Sequence, residues 1–152
     1  MASPIPPTYD DAILVLRLYE LRREEKLRAA REWFRARFFP QGIEEVKAVA
    51  LGTGIENTNY RMVTTYWEMA TSFVAHGVLQ PELFFESGGE AIFVWAKLEP
   101  FLRELRQELQ TPRLLANLEK AIGMVPWVAE RAEVIRKRLP AYRERLIGES
   151  GS

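Results

Sequence analysis

From residue 12 to residue 19 almost every position is apolar, Arg17 excepted. A helix that is apolar all round is buried on several sides or lies in an interface. Thr8 stands ahead of this stretch as an N-cap. Asp10 and Asp11 follow in the first turn, where the helix dipole favours negative charge. From Leu27 onward the pattern becomes one-sided, with Leu27, Ala30, Phe34 and Phe38 at helical spacing. The charged run at 22–26 between the two patterns is either a continuous helix surface or a bend. Pro40 and Gly42 close the region.

Residues 43–51 read as a short helix stopped by Gly52 and Gly54. Asn57 or Thr58 then opens a long helix to about residue 76, with Gly77 just past its end. Its apolar set is Tyr60, Val63, Trp67, Ala70 and Val74, flanked by Tyr66, Met69 and Phe73. Gln80-Pro81-Glu82 starts a short helical turn through Phe85. Ser87-Gly88-Gly89-Glu90 has the pattern of a capping box for a helix reaching about residue 109. Ile92, Trp95, Ala96 and Leu98 form its apolar side, and Pro100 predicts a kink. Thr111-Pro112 marks another helix start, with Leu115, Leu118 and Ile122 behind it and Gly123 as the stop.

Pro126 opens the last helix. Val128, Ala132, Ile135, Leu139, Tyr142 and Leu146 follow at spacings of 4, 3, 4, 3 and 4, a short heptad seam interrupted by Pro140. No segment alternates as a strand does, and no internal repeat is present. The pattern predicts an all-α, single-domain bundle of six or seven helices over residues 8–147. An extended, proline-rich tail at 1–7 precedes it, and a flexible tail at 148–152 follows.

Composition narrows the possible chemistry. A chain of 152 residues with 47% hydrophobic and 28% charged residues is the size and balance of one globular domain. The absence of cysteine excludes disulfides, a thiol nucleophile and any cysteine metal site. Twenty-one basic residues balance 21 acidic ones, which argues against a dedicated nucleic-acid binder. Arg22, Arg23, Lys26, Arg28, Arg31, Arg35 and Arg37 crowd the first helical region, but glutamates interleave with them, as on a solvated helix surface. The N-terminus lacks the basic and apolar regions of a secretory signal, and no apolar run of about 20 residues is present. The expectation is a cytoplasmic protein without a membrane span.

Asn59-Tyr-Arg-Met-Val-Thr-Thr-Tyr-Trp-Glu-Met-Ala70 is one distinctive segment. Leu83-Phe-Phe-Glu-Ser-Gly-Gly-Glu90, Phe93-Val-Trp-Ala-Lys-Leu-Glu-Pro100 and Leu18-Tyr-Glu-Leu-Arg22 accompany it. Together they resemble a group of small bacterial proteins known only as a domain of unknown function, over roughly residues 10–135. The resemblance implies a bacterial helical domain. It implies no activity, cofactor or catalytic residue.

His76, the only histidine, stands in the last turn of a helix, where capping is the simplest role. No Glu-x-x-His spacing accompanies it, so no metal is expected. Phosphate-loop and serine-elbow motifs are also absent. Glu68 and Glu99 sit in otherwise apolar helices, with Arg61 and Lys97 near enough in sequence to neutralise them.

Three functions remain, in this order. The first is a non-enzymatic interaction module that binds another protein or forms a homodimer. The apolar 12–19 stretch and the heptad seam motivate it. The second is a small-molecule binder with a pocket between the two central helices. Trp67, Phe73 and Trp95 would wall it, Arg61 and Glu68 would orient a polar group, and Tyr66 and Glu99 would complete it. The third is an enzyme using Glu68 or Glu99 as acid or base, ranked last because no nucleophile, metal set or cofactor motif supports it.

Overall fold

The structure, a computed structural model, describes residues 5–150. Among these the chain forms eight helices and no strand: α1 (Tyr9–Arg22), α2 (Glu25–Ala36), α3 (Ile43–Ala50), α4 (Ile55–Ala75), α5 (Pro81–Ser87), α6 (Gly89–Glu108), α7 (Ala116–Met124) and α8 (Pro126–Ser150). The expected six or seven become eight because two short breaks are fully capped. The Glu24 carboxylate accepts the Leu27 amide at 2.9 Å, so the charged run is a bend that starts α2. The Gln80 side chain accepts the Leu83 amide at 2.7 Å, which extends the short turn into α5.

The capping box at Thr8 forms. Thr8 accepts the Asp11 amide, and the Asp11 carboxylate accepts the Thr8 amide at 2.7 Å. The same carboxylate takes the Gln80 amide at 3.0 Å and so ties the start of α1 to the start of α5. Gly77, at φ +77°, closes α4 in a Schellman turn in which Val78 donates to the Phe73 carbonyl.

Three expected boundaries are corrected. Ser87 does not cap α6: it ends α5, and its hydroxyl donates back to the Leu83 and Phe84 carbonyls. Gly88 caps instead. A Cβ there would lie 2.9 Å from the Phe84 carbonyl oxygen, so the chain turns too tightly for a side chain. Asn57 does not start α4, which begins two residues earlier. From inside the helix its amide donates to the Val49 and Ala50 carbonyls at the end of α3. Thr111-Pro112 does not start α7 either. Thr111 is occupied in ending α6, its amide bonded to the Arg106 carbonyl, and α7 begins only at Ala116.

α4 lies at the centre, packed against α2, α3 and α7, while α6 carries α8 along its length and α1 rests on α5. Trp67, Phe34, Phe84, Phe85 and Leu118 fill the core where these helices meet. Pro100 stands inside α6 and has no N–H for the Ala96 carbonyl one turn back. Arg136 of α8 supplies that donor at 3.0 Å, so a defect of one helix becomes the attachment point of another. No helix among the described residues is long and apolar enough to cross a membrane.

Candidate functional site

The polar residues of α4 are turned to different neighbours. The Tyr66 hydroxyl is buried, donates to the Leu18 carbonyl at 2.6 Å and receives the Arg22 guanidinium at 3.2 Å. Burial pushes the Tyr66 phenol up, and Arg22 opposes that shift. Arg22 also lies 5.2 Å above the ring of Trp67, which is fully buried. The group thus fastens the end of α1 to the middle of α4. Arg61 is exposed on the outer side of the helix.

Glu68 serves α7. Leu115 precedes that helix in the left-handed region, at φ 55°, and offers no side-chain cap. The Glu68 carboxylate takes the amides of Asn117 and Leu118, at 3.2 and 2.9 Å, and so caps α7 from across the core. The ion pair of Glu68 with Arg61 or Lys97 expected from sequence is therefore replaced by backbone amides. Glu99 instead meets Arg136 at 3.2 Å on the surface. Phe73 is half-buried beside the core, and Trp95 is buried within it. Among the described residues, hollows of about 220 to 920 Å³ lie elsewhere on the surface, and none of the seven expected ligand contacts lines them.

Lys97 is the buried charge that carries most constraint. Its ammonium donates to the carbonyls of Phe34 and Phe38, where α2 ends. The Phe39 ring centre is 3.8 Å away and the Phe93 ring centre 4.7 Å. Burial, with a smaller push from Arg35, brings Lys97 down to about 7. The carbonyls and ring faces pull the other way, because both favour the ammonium. Arg31 and Glu90 form a second link between α2 and α6, with three charge-assisted bonds of 2.8 to 3.0 Å. Sequence reasoning assigned Arg31 to the surface and Glu90 to a cap. The spacing of Arg28, Arg31 and Arg35 along one face of α2 was the available signal.

Among the exposed apolar side chains of the described residues, those of α1 form one stripe on a single helix. Leu18 enters the core and Leu14 and Val15 pack at its edge. Tyr9, Ile13 and Leu16 form a second stripe, spaced by four and three residues, and they are 80%, 45% and 56% exposed. Asp10 and Arg17 flank that stripe on one side, two turns apart. The apolar all-round pattern of this helix is thus resolved into one face in the core and one face open.

No curated protein and no solved structure matches the chain. The model of one family, described as Domain of unknown function (DUF4760), matches residues 7–124. That stretch runs from just before α1 to the last residue of α7 and leaves α8 outside. The chain belongs to this family.

Proposed function

We propose that this chain is a non-enzymatic interaction module that pairs with a second copy of itself through α1. The observation that carries the proposal is the exposed stripe of Tyr9, Ile13 and Leu16 on a helix whose other face is already in the core. Contiguous exposed apolar side chains on a rigid helix favour burial against another surface. Charge supports a second copy as the partner. An antiparallel pair centred between Ile13 and Leu14, midway between Asp10 and Arg17, brings Asp10 of each chain toward Arg17 of the other, twice over by symmetry. The buried acids and bases are meanwhile engaged in the fold: Glu68 caps α7, Lys97 ties down α2, and Glu90 holds Arg31.

Native mass spectrometry over a concentration series tests the proposal. The expected result is a species of twice 17.6 kDa at micromolar concentration that Leu16→Glu converts to the single chain. A wild-type protein that stays monomeric at high micromolar concentration overturns the proposal, as does a dimer unaffected by Leu16→Glu.

A further inference from the structure

Two chain reversals and the segment ahead of α1 meet at one end of the bundle. The Schellman turn at Gly77 points Val78 outward and Leu79 inward. Asp11 holds the Gln80 amide, and the Gln80 side chain holds the Ile5 carbonyl at 3.2 Å, so the segment ahead of α1 lies along the start of α5. On the far side Val125, in an extended conformation, follows the end of α7, and α8 begins at Pro126. Between these segments lies a hollow of about 920 Å³.

Its floor and its rim differ in a way that selects a ligand. Val74, Leu79 and Val125 form the floor and are almost fully buried. Ile5, Val78 and Met124 stand at the rim and are exposed, so apolar surface runs from the bottom of the hollow to its mouth. Among the described residues, every charged residue of the lining is acidic, namely Asp10, Asp11 and Glu82, and no lysine, arginine or histidine lines it. Asp11 stays ionised, because the Thr8 and Gln80 amides hold its carboxyl below the usual carboxylate range. Asp10 and Glu82 are exposed.

We infer that this hollow binds a small organic amine: an apolar body against Val74, Leu79 and Val125, and an ammonium group at the mouth facing Asp10 and Glu82. The volume is that of a small-molecule site. The apolar floor supplies affinity, and three carboxylates, which outweigh the partial positive charge of the two helix N-termini that carry them, disfavour an isosteric carboxylate. The floor and Glu82 lie apart from the Tyr9, Ile13 and Leu16 stripe, but Asp10 borders both, so the titration is run on the Leu16→Glu variant as well as the wild type and the failure of one reading is told from that of the other.

The test is titration of 15N-labelled protein with 4-phenylbutylamine, 4-phenylbutanol and 4-phenylbutyrate at pH 7. The expected result is a saturable shift of the Val78, Leu79 and Met124 amides by the amine, at least tenfold weaker for the carboxylate, with the alcohol between. The double variant Asp10→Asn/Glu82→Gln keeps the fold and brings the amine to the affinity of the alcohol. Val78→Trp fills the mouth and removes binding of all three. Equal or tighter binding of the carboxylate overturns the inference. So does the absence of any saturable shift up to 10 mM (on the order of the millimolar affinity of a small fragment), or shifts confined to other parts of the fold. Binding of a basic amphipathic peptide without binding of the amine overturns it too, in favour of a peptide groove.

Discussion

α8 turns Val128, Ala132, Ile135 and Leu139 toward the rest of its own chain, whereas α1 turns Tyr9, Ile13 and Leu16 toward solvent. Both stripes have the same spacing of three and four. The difference lies in what stands opposite. α8 meets α6, whose Pro100 leaves the Ala96 carbonyl free for Arg136, and Tyr142 comes to rest against Phe39 and Phe93. α1 meets α5, which has only two turns and covers one side of it. A periodic apolar stripe therefore states that a face needs a partner, and the remaining helices decide whether the same chain provides one. The heptad seam of α8, read from sequence as a reason for dimerisation, is buried within the chain at Val128 and Ala132 and half-buried from Ile135 to Leu146. The exposed apolar face lies in the stretch matched by the family model, and the covered seam lies beyond it.

A charge placed in each stripe gives the largest contrast. Val128 is fully buried, and Val128→Asp strands a carboxylate in the α8 contact. The expected loss is about 3–5 kcal/mol, near the whole stability of a small domain. The same charge at Leu16 is expected to change stability by no more than about 0.5 kcal/mol. Urea denaturation of the two variants at low protein concentration measures both. Comparable losses would mean that the α1 stripe is covered after all.

A second test concerns the joint beneath α8. Lys97 of α6 holds the end of α2 just where Phe39 touches Tyr142. Its folded value of about 7 lies below the ordinary 10.5, so between these two the unfolded chain binds more protons than the folded one. Stability therefore rises with pH across that window, with a slope of at most about 1.4 kcal/mol per pH unit. Denaturation midpoints at pH 7, 8 and 9 should climb for the wild type and stay flatter for Lys97→Met. A wild-type curve no steeper than that of the variant would show that the carbonyls and rings keep Lys97 charged throughout.

Two smaller effects follow from contacts that cross between helices. Arg136→Met leaves the Ala96 carbonyl without a donor and is expected to cost about 1–2 kcal/mol. Glu68→Gln weakens the cap of α7 by about 1 kcal/mol. Differential unfolding of the two variants, followed by hydrogen exchange, should place the first loss in α8 and the second in α7.

The elements were legible where the information is local. The Thr8 cap, the glycine past α4, the proline at the start of α8 and the periodic core of α4 each act over a few neighbouring residues. What sequence could not display was the long-range use of a side chain. Glu68 is 49 residues from Asn117, Lys97 is 59 residues from Phe38, and Glu90 is 59 residues from Arg31. Their partners are backbone groups or charges brought close only by the packing of α4 and α6. For the same reason the expected pocket around Arg61, Tyr66 and Glu68 is not gathered into one place. At spacings of five and two these residues point to different neighbours, and the helices that meet them have different needs.

An exchange of charges is the most selective test of the contrast between α1 and α8. If two α1 helices pair antiparallel, Asp10 and Arg17 face each other across the symmetry axis, whereas in one chain they lie two turns apart and Arg17 meets the exposed Glu20, at 3.5 Å. Arg17→Asp alone places like charges across the pair. Asp10→Arg alone does the same with the opposite sign. The double exchange restores opposite charges in reversed order. Each single change is expected to weaken self-association several-fold, consistent with about 0.5–1 kcal/mol for each of two exposed pairs, and the double variant to recover most of it. Sedimentation equilibrium at low salt gives the three constants. Rescue requires an interface that contains both residues from different chains, so simple loss of surface charge cannot produce it. Additive weakening in the double variant would exclude the antiparallel arrangement even if the protein does dimerise.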